Sequence, residues 1–470
     1  MATRSDQQSK ALSPLTSLAF AAAGLPVAAV SLAMAVYLPR HYASHLGIDL
    51  ALVGTAFFIV RFIDIPVEAL LGWGMDRTRS RLGRYRLWTL IGTPLFMLGV
   101  YFVFMPPAGI DRTYLIAWLL VMYLGNSIMM LSHLAWASTL APRYDERSKL
   151  FGLVTAVGVL GAAAVIAISI VNDARDLPDS TNVPAMGAFA LVATPLAIGL
   201  MLWRTPERVA PEIAGHKFGP RDYLALLARP SFARLILADL CLSLGPGWMA
   251  AIYLFFFTDS RGFTTGQASV LLATYILAGI VGAPVMGRVA VRISKHRTVI
   301  VACVVYSLVL ASFMLLPRGN LPAFVCALFL AGFMAASFNA TTRAMTADIA
   351  DEVRLDHGRE RAGLLYAMTT MTNKITGALS IGLTFFVLSR VGYVATEGAT
   401  NTPEAISHLE IVFLTGPIVF VMLGAFCMIG YGLTAERHAE IRRQLDERDA
   451  QYDEAAVIET LTSEARAVAP

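Results

Sequence analysis

Charge is what this sequence has least of. Only 15% of its 470 residues are Asp, Glu, Lys or Arg, against roughly 25% in soluble domains, and the mean hydropathy is +0.63. An ordinary soluble globule is excluded. Cysteine is scarce as well: Cys241, Cys303, Cys326 and Cys427 all lie in apolar stretches without CxxC or zinc spacing, so we read them as packing residues. The net charge of +4 is too small for this length to imply a nucleic-acid partner. Phosphate-binding GxxxxGK[ST], HExxH and GxSxG motifs are missing too, and the few buried polar groups are spread over several segments, which argues against an enzyme.

What the chain has instead is long apolar runs; residues 11–39 contain no charge at all. Crossing about 30 Å of hydrocarbon takes about 20 apolar residues in a helix. Twelve such blocks stand at 16–38, 50–75, 88–106, 114–141, 150–171, 184–203, 234–258, 267–292, 298–316, 322–347, 360–388 and 408–433. Spanning strands would need only about 10 residues each and would alternate in polarity, so the expected fold is all-α and integral to the membrane. The first block is too long and lacks the small-residue cleavage site of a signal peptide. It counts as a span.

Basic residues gather in every second connection: Arg77, Arg79, Arg81, Arg84 and Arg86, then Arg143, Arg147 and Lys149, then Arg204, Arg208, Lys217 and Arg221. By the positive-inside rule those loops and both termini are cytoplasmic. A proline-rich polar stretch, with Pro206, Pro211, Pro220 and Pro230, reads as a linker over 204–233 between a bundle at 1–203 and a bundle at 234–433. Gly72–Arg86 (GWGMDRTRSRLGRYR) has a weaker counterpart in Gly282–Arg297 (GAPVMGRVAVRISKHR), each between the second and third spans of its half. That repetition indicates a duplicated six-helix unit. The tail, 434–470, is charged on all sides and reads as a solvated helix or disorder.

Ionisable residues inside spans need a partner or a task, because a charge at the bilayer centre costs about 2.5–3.5 kcal/mol on insertion scales. The second span carries three in RFIDIPVEALLGW. Asp64 and Glu68 are four apart and share a helix face, with Arg61 three residues before Asp64. Two adjacent acids repel unless a cation or proton sits between them, so the pair has the composition of a site for Na⁺ or H⁺. Pro66 removes a backbone hydrogen bond between them. The plainer alternative is that Arg61 merely neutralises Asp64. Against it stands Lys374, an ammonium deep in the eleventh span whose obvious partners are the same two acids.

The segments RFID and GWGMDRTRSRLGRYRLW, with ERAGLLYAMTTMTNK and MTADIADEVRLDHGRER, resemble the glycoside-pentoside-hexuronide:cation symporters, the melibiose permease group of the major facilitator superfamily. The resemblance implies twelve helices in two pseudo-symmetric bundles, and a secondary symporter that moves a small polar solute by alternating access. It further implies that Asp64 and Glu68 are the cation-site carboxylates, that Lys374 and Arg61 couple to them, and that Asp76, Arg77, Arg81, Gly83 and Arg84 latch the cytoplasmic gate. A bacterial cytoplasmic membrane, no cofactor beyond the coupling ion and a monomer are the family expectations. The chain departs from the group at the sugar site. Pro26 and Ser132 stand where melibiose permease places acids, while Trp136 is retained, so a galactoside of the melibiose kind is not expected.

The remaining lining candidates are Asn126, Ser132, His133, Trp136, Asp239, Trp248, Asn339, Tyr366 and Asn373. Aromatic faces with amides suit sugars, although singly such residues also serve helix packing. His41 and His45 have i, i+4 spacing, but two histidines make a poor metal site. A sugar, glycoside or uronide is the expected solute. The alternatives are a lysophospholipid-like amphiphile carried by the same fold and a transceptor signalling through the tail.

Overall fold

The computed structural model describes residues 12–141, 144–207, 225–357 and 362–450. Among them twelve helices are long and apolar enough to cross a membrane: α1 (Pro14–His45), α2 (Leu50–Met75), α3 (Arg84–Phe104), α4 (Arg112–Leu140), α5 (Glu146–Ala174), α6 (Asp179–Arg204), α7 (Pro230–Ala251), α8 (Thr265–Ile293), α9 (Lys295–Ser312), α10 (Leu321–Asp356), α11 (Leu364–Arg390) and α12 (Pro403–Met428). No strand occurs among the described residues. Arg143, the linker over 208–224, Arg361 and the chain beyond 450 lie outside them.

Local sequence sets the helix starts. Asp49, Asp111, Thr264 and Thr402 accept hydrogen bonds from first-turn N–H groups of α2, α4, α8 and α12, and Thr264 forms a capping box with Gln267. Two spans run well past their expected C-terminal ends. α1 continues to His45 through π-helical turns at Ala33–Tyr37 and His41–His45. α10 continues past 347 because Met345, Ile349 and Val353, spaced by four, keep one buried apolar stripe going. Cys241 and Cys303 are buried as packing residues, whereas Cys326 is exposed.

Each half is a six-helix bundle tied by close crossings. A Cβ on Gly125 of α4 would sit 2.3 Å from the Phe96 backbone nitrogen of α3, so only glycine permits that approach. The halves meet where α2 packs along α11 and α5 along α8. At Gly382 of α11, for example, a Cβ would sit 2.8 Å from Phe58 Cβ of α2.

Polar bonds between the halves gather at the end away from the termini. Arg40 donates to Thr258 Oγ1 at 2.6 Å and to the Leu254 carbonyl at 3.1 Å, and pairs with Asp259 at 3.3 Å. Thr264 and Thr265 donate to Asp173 and Asp179 at 2.8 and 2.6 Å. His45 meets Glu397 at 2.6 Å, so this histidine joins the halves. Tyr393, just beyond α11, donates to Asp259. Burial, with the Asp259 charge, holds the Tyr393 phenol well above the usual tyrosine range, which keeps it a donor. That end is closed.

The tail is helical, one of its two expected forms, but it is docked. Residues 435–450 are helical and bury Ile441 and Leu445. Spaced by four, these two give one apolar stripe, which lets the helix dock on the end of α10. His438 lies 3.0 Å from Asp351 and Arg354 lies 2.9 Å from Asp449. Arg448 donates to the carbonyls of Arg354 and Leu355.

Candidate cation and solute sites

Asp64 and Glu68 stand one turn apart on α2, at the seam with α11. Lys374 of α11 crosses that seam: its Nζ contacts Glu68 and lies 3.6 Å from Asp64 Oδ2. Asp64 is buried and accepts a 2.6 Å hydrogen bond from Ser127 of α4. The ammonium therefore occupies the space between the two carboxylates that a cation would need. Two carboxylates and one ammonium carry a net single negative charge, which the Arg61 guanidinium nearby offsets. Arg61 is the second positive charge nearby, but it forms no ion pair with Asp64 among the described residues. Its guanidinium lies over the Tyr123 ring at 4.6 Å and would be 3.5 Å from a Cβ on Gly377. The simple Arg61–Asp64 pairing is thus replaced by Lys374 and Ser127 as partners of Asp64.

Each half also holds a hollow that none of Asp64, Glu68 and Lys374 lines. The first, about 460 Å³, is lined by α1, α4 and α5 with contributions from α3 and α6, among them Val27, Met129, Met130, His133 and Ala162. The second, about 370 Å³, is lined by α7, α8, α10 and α11, among them Ser243, Tyr275, Asn339 and Asn373. Both sizes fall in the usual range for small-molecule sites.

The expected latch is anchored by the start of the linker. Gly83 has a φ of +103° and precedes α3. Glu207 accepts from the N–H groups of Arg84, Tyr85 and Arg86 at 2.6, 2.9 and 3.1 Å, bracing the start of α3. A Cβ at Gly83 would fall 2.1 Å from Glu207 Oε2. Arg77 stacks on Trp73 at 3.8 Å, and Arg81 is exposed. The Asp76 side chain lies outside the described residues. Among the described residues the 78–83 loop makes no hydrogen bond or ion pair to the second half, while the opposite end is bonded shut.

A family described as MFS/sugar transport protein matches residues 19–435. The chain belongs to this family. It is a multi-pass membrane transporter with the major facilitator fold, not an enzyme, and its partners are a small-molecule solute and the bilayer. Among its relatives is the "Glucuronide carrier protein homolog" of Escherichia coli strain K12, 23% identical over 88% of this chain and 91% of that protein. Another is the "Sodium-dependent lysophosphatidylcholine symporter 1-B" of Danio rerio, 20% identical over 93% and 90%. The crystal structure of the nucleoside transporter NupG is similar in fold, with a TM-score of 0.66 at 12% identity over 89% of this chain and all of that one.

Within this transporter the candidate lining residues divide. His133 lines the first hollow, with Nε2 3.0 Å from the Phe20 carbonyl, and Asn339 and Asn373 line the second. Ser132 does not: it is fully buried and bonds Ile128 O and Met129 O of its own helix and Thr89 of α3. Trp136 is buried too, donating to the Pro206 carbonyl at the start of the linker. Trp248 donates to the Val412 carbonyl at 2.9 Å in the seam between α7 and α12. These three are packing residues, because each polar group is already satisfied by backbone or by a neighbouring helix. Asn126 is half-buried and Tyr366 is exposed, and neither is among the residues lining the two hollows. Sequence reasoning missed Ser127, Glu207, Asp259 and Tyr393. For Ser127 a signal existed, since it is a small polar residue in an apolar span. The others act through contacts between distant segments that no local pattern marks.

Proposed function

We propose that this transporter is a cation-coupled secondary symporter of a sugar, glycoside or uronide, with Asp64 and Glu68 as the cation site and Lys374 as the group displaced when the cation binds. The observation that carries the reading is Lys374 set between the two acids across the α2–α11 seam. An ammonium and a cation compete for the same oxygens, so ion binding frees α11 from α2 and couples occupancy to movement of the halves. The names of the glucuronide carrier and of the sodium-dependent symporter speak for a sugar and for a coupling ion respectively.

The end carrying both termini faces the cytoplasm in this reading, in a bacterial inner membrane, because the basic loops lie at that end. The bonded end is then the outer gate and the molecule faces inward. Asp76, Arg77, Arg81, Gly83 and Arg84 form the loop that closes on the second half in the opposite state. The bundle over 1–203 and the bundle over 234–433, joined by 204–233, are the rocking units, and the protein acts as a monomer.

The apolar first hollow and the lysophosphatidylcholine symporter among the relatives favour a lysolipid instead. Uptake of labelled sugars and lysolipids into proteoliposomes, under Na⁺ or pH gradients, tests both. Gradient-driven sugar uptake abolished by Asp64→Asn and by Glu68→Gln is the expected result, and the effective gradient identifies the ion. Uptake indifferent to both gradients and both substitutions overturns the coupling.

A further inference from the structure

Asp239 is an acid at the middle of α7 that the Asp64–Glu68–Lys374 cluster does not use. It is 6% exposed and lines neither hollow. A charge placed at that depth is costly unless it has a partner.

The hydrogen bonds around Asp239 suit a proton better than a charge. Thr342 Oγ1 of α10 stands 3.0 Å from Asp239 Oδ1 and 3.2 Å from the backbone carbonyl oxygen of Asn339, one turn back along α10. The hydroxyl has a single hydrogen to give. An ionised Asp239 takes that hydrogen at Oδ1 and leaves its buried Oδ2 with no donor. A protonated Asp239 gives its own hydrogen to Thr342, which passes its hydrogen to the Asn339 carbonyl. Every hydrogen then has an acceptor, and no buried charge is left half-satisfied.

The neighbouring charges agree. Arg343, the next residue of α10, is near enough to act on Asp239 electrostatically, yet the two form no ion pair among the described residues. Opposite charges this near inside a span attract strongly, and a proton on Asp239 removes the attraction. The other ionisable groups on the packed helices are engaged elsewhere. Arg234 of α7 donates to the Ile429 and Gly430 carbonyls, Lys374 of α11 contacts Glu68, and Glu410 of α12 pairs with Arg261 and Arg318. Cys427 of α12 faces Cys241, and Tyr37 of α1 is bonded to Ser269.

We propose that Asp239 is a second proton-binding site, separate from the Asp64–Glu68 pair, at which a proton and Arg343 compete for one carboxylate. Loss of the proton draws Arg343 onto Asp239 and moves α10 against α7; uptake of the proton restores the arrangement seen here. Ser243 and Asn339, each one turn from this contact, line the second-half hollow. The hollow therefore gives the proton its approach and feels its arrival. The switch lies wholly in the second half and works the same way whichever solute is carried.

The test is an infrared titration of the full chain in lipid vesicles between about pH 5 and pH 10, a range in which an aspartate with the usual pKa of about 3.9 is ionised. Wild-type protein should show the C=O band of a protonated carboxylic acid at neutral pH, and the band should fade as the pH rises. Asp239→Asn should abolish it, while Asp64→Asn and Glu68→Gln leave it in place. Thr342→Val removes the hydroxyl partner and should move the band to higher frequency. Arg343→Gln removes the competitor and should make the band persist about one pH unit higher, a tenfold tighter hold on the proton. Thermal unfolding of each variant checks that it folds, and heavy-isotope labelling of aspartate carboxyl carbons identifies the band in wild-type protein if Asp239→Asn does not. A spectrum that Asp239→Asn leaves unchanged, or a wild-type spectrum with no aspartic acid band, overturns the site. A titration that Arg343→Gln leaves unmoved overturns the competition. The spectra need no solute, so this site and the sugar-symporter reading fail separately.

Discussion

Lys374 of α11 touches Glu68 of α2 across the seam between the halves, while Asp64, one turn away, is also held by Ser127 from its own half. One acid is thus bonded only across the seam and the other is shared between the halves. Removing Lys374 leaves two carboxylates facing each other. Breaking a buried pair from one side destabilises by about 3–5 kcal/mol, and the partial exposure of Lys374 and Glu68 reduces this to about 1–3 kcal/mol. Lys374→Ala should therefore lower the unfolding temperature. Adding Asp64→Asn should restore part of it, a non-additivity that a double-mutant cycle reads directly.

Ser127→Ala removes the one hydroxyl donated to Asp64. A hydrogen bond to a charged group is worth about 1.5–3 kcal/mol, and the partner freed is a ligand of the proposed cation site. The ion concentration giving half-maximal uptake should change by about tenfold, with solute KM at saturating ion unchanged. An unchanged ion dependence means that Asp64 is not a ligand.

Tyr393→Phe removes a donor to Asp259, which also holds Arg40 at the closed end. Because the phenol's pKa is raised, the bond is intact at neutral pH and persists past the usual tyrosine range. Loss of the bond should shift the population toward opening at that end by about tenfold. Thiol labelling of an Ala395→Cys reporter by an impermeant reagent from that side would show it.

Glu207→Ala leaves three N–H groups at the start of α3 without their acceptor. Loss of a helix-start acceptor costs about 0.5–2 kcal/mol, so a lower unfolding temperature is expected. Gly83→Ala should be worse, since it combines a left-handed φ with a Cβ on top of the Glu207 carboxylate. The two changes together should cost less than their sum, because removing the carboxylate relieves the clash.

Trp248→Phe and Ser132→Ala separate packing from binding. Trp248 loses its bond to Val412 O, at about 1 kcal/mol. Solute KM should be unaffected in both variants. A raised KM in either would return that residue to the solute site.

Legibility followed range. The spans were readable because each is a run of consecutive apolar residues, and lipid demands nothing else of a single helix. The Asp64–Glu68–Lys374 cluster was readable because Asp64 and Glu68 are helix neighbours, so spacing alone placed them together, and because Lys374 is a charge where charge is expensive. Ser132, Trp136 and Trp248 were misjudged for one shared reason. A polar group in an apolar span looks the same in sequence whether it bonds a ligand or a carbonyl on the next helix. The docking of the tail helix was not legible because its stripe is only Ile441 and Leu445 among many charges.

The sequence by itself determined that this chain is a twelve-helix membrane protein, its two-fold repetition and the chemistry of its paired acids, all of which are local or periodic. Only the tertiary structure decided which end is shut, what Lys374 and Ser127 touch, and that the hollow of the first half is lined mostly by apolar residues. Those depend on which face each helix turns toward its neighbours, and in a chain whose lipid-facing and core-facing residues are equally apolar, that rotation leaves no periodic mark to read.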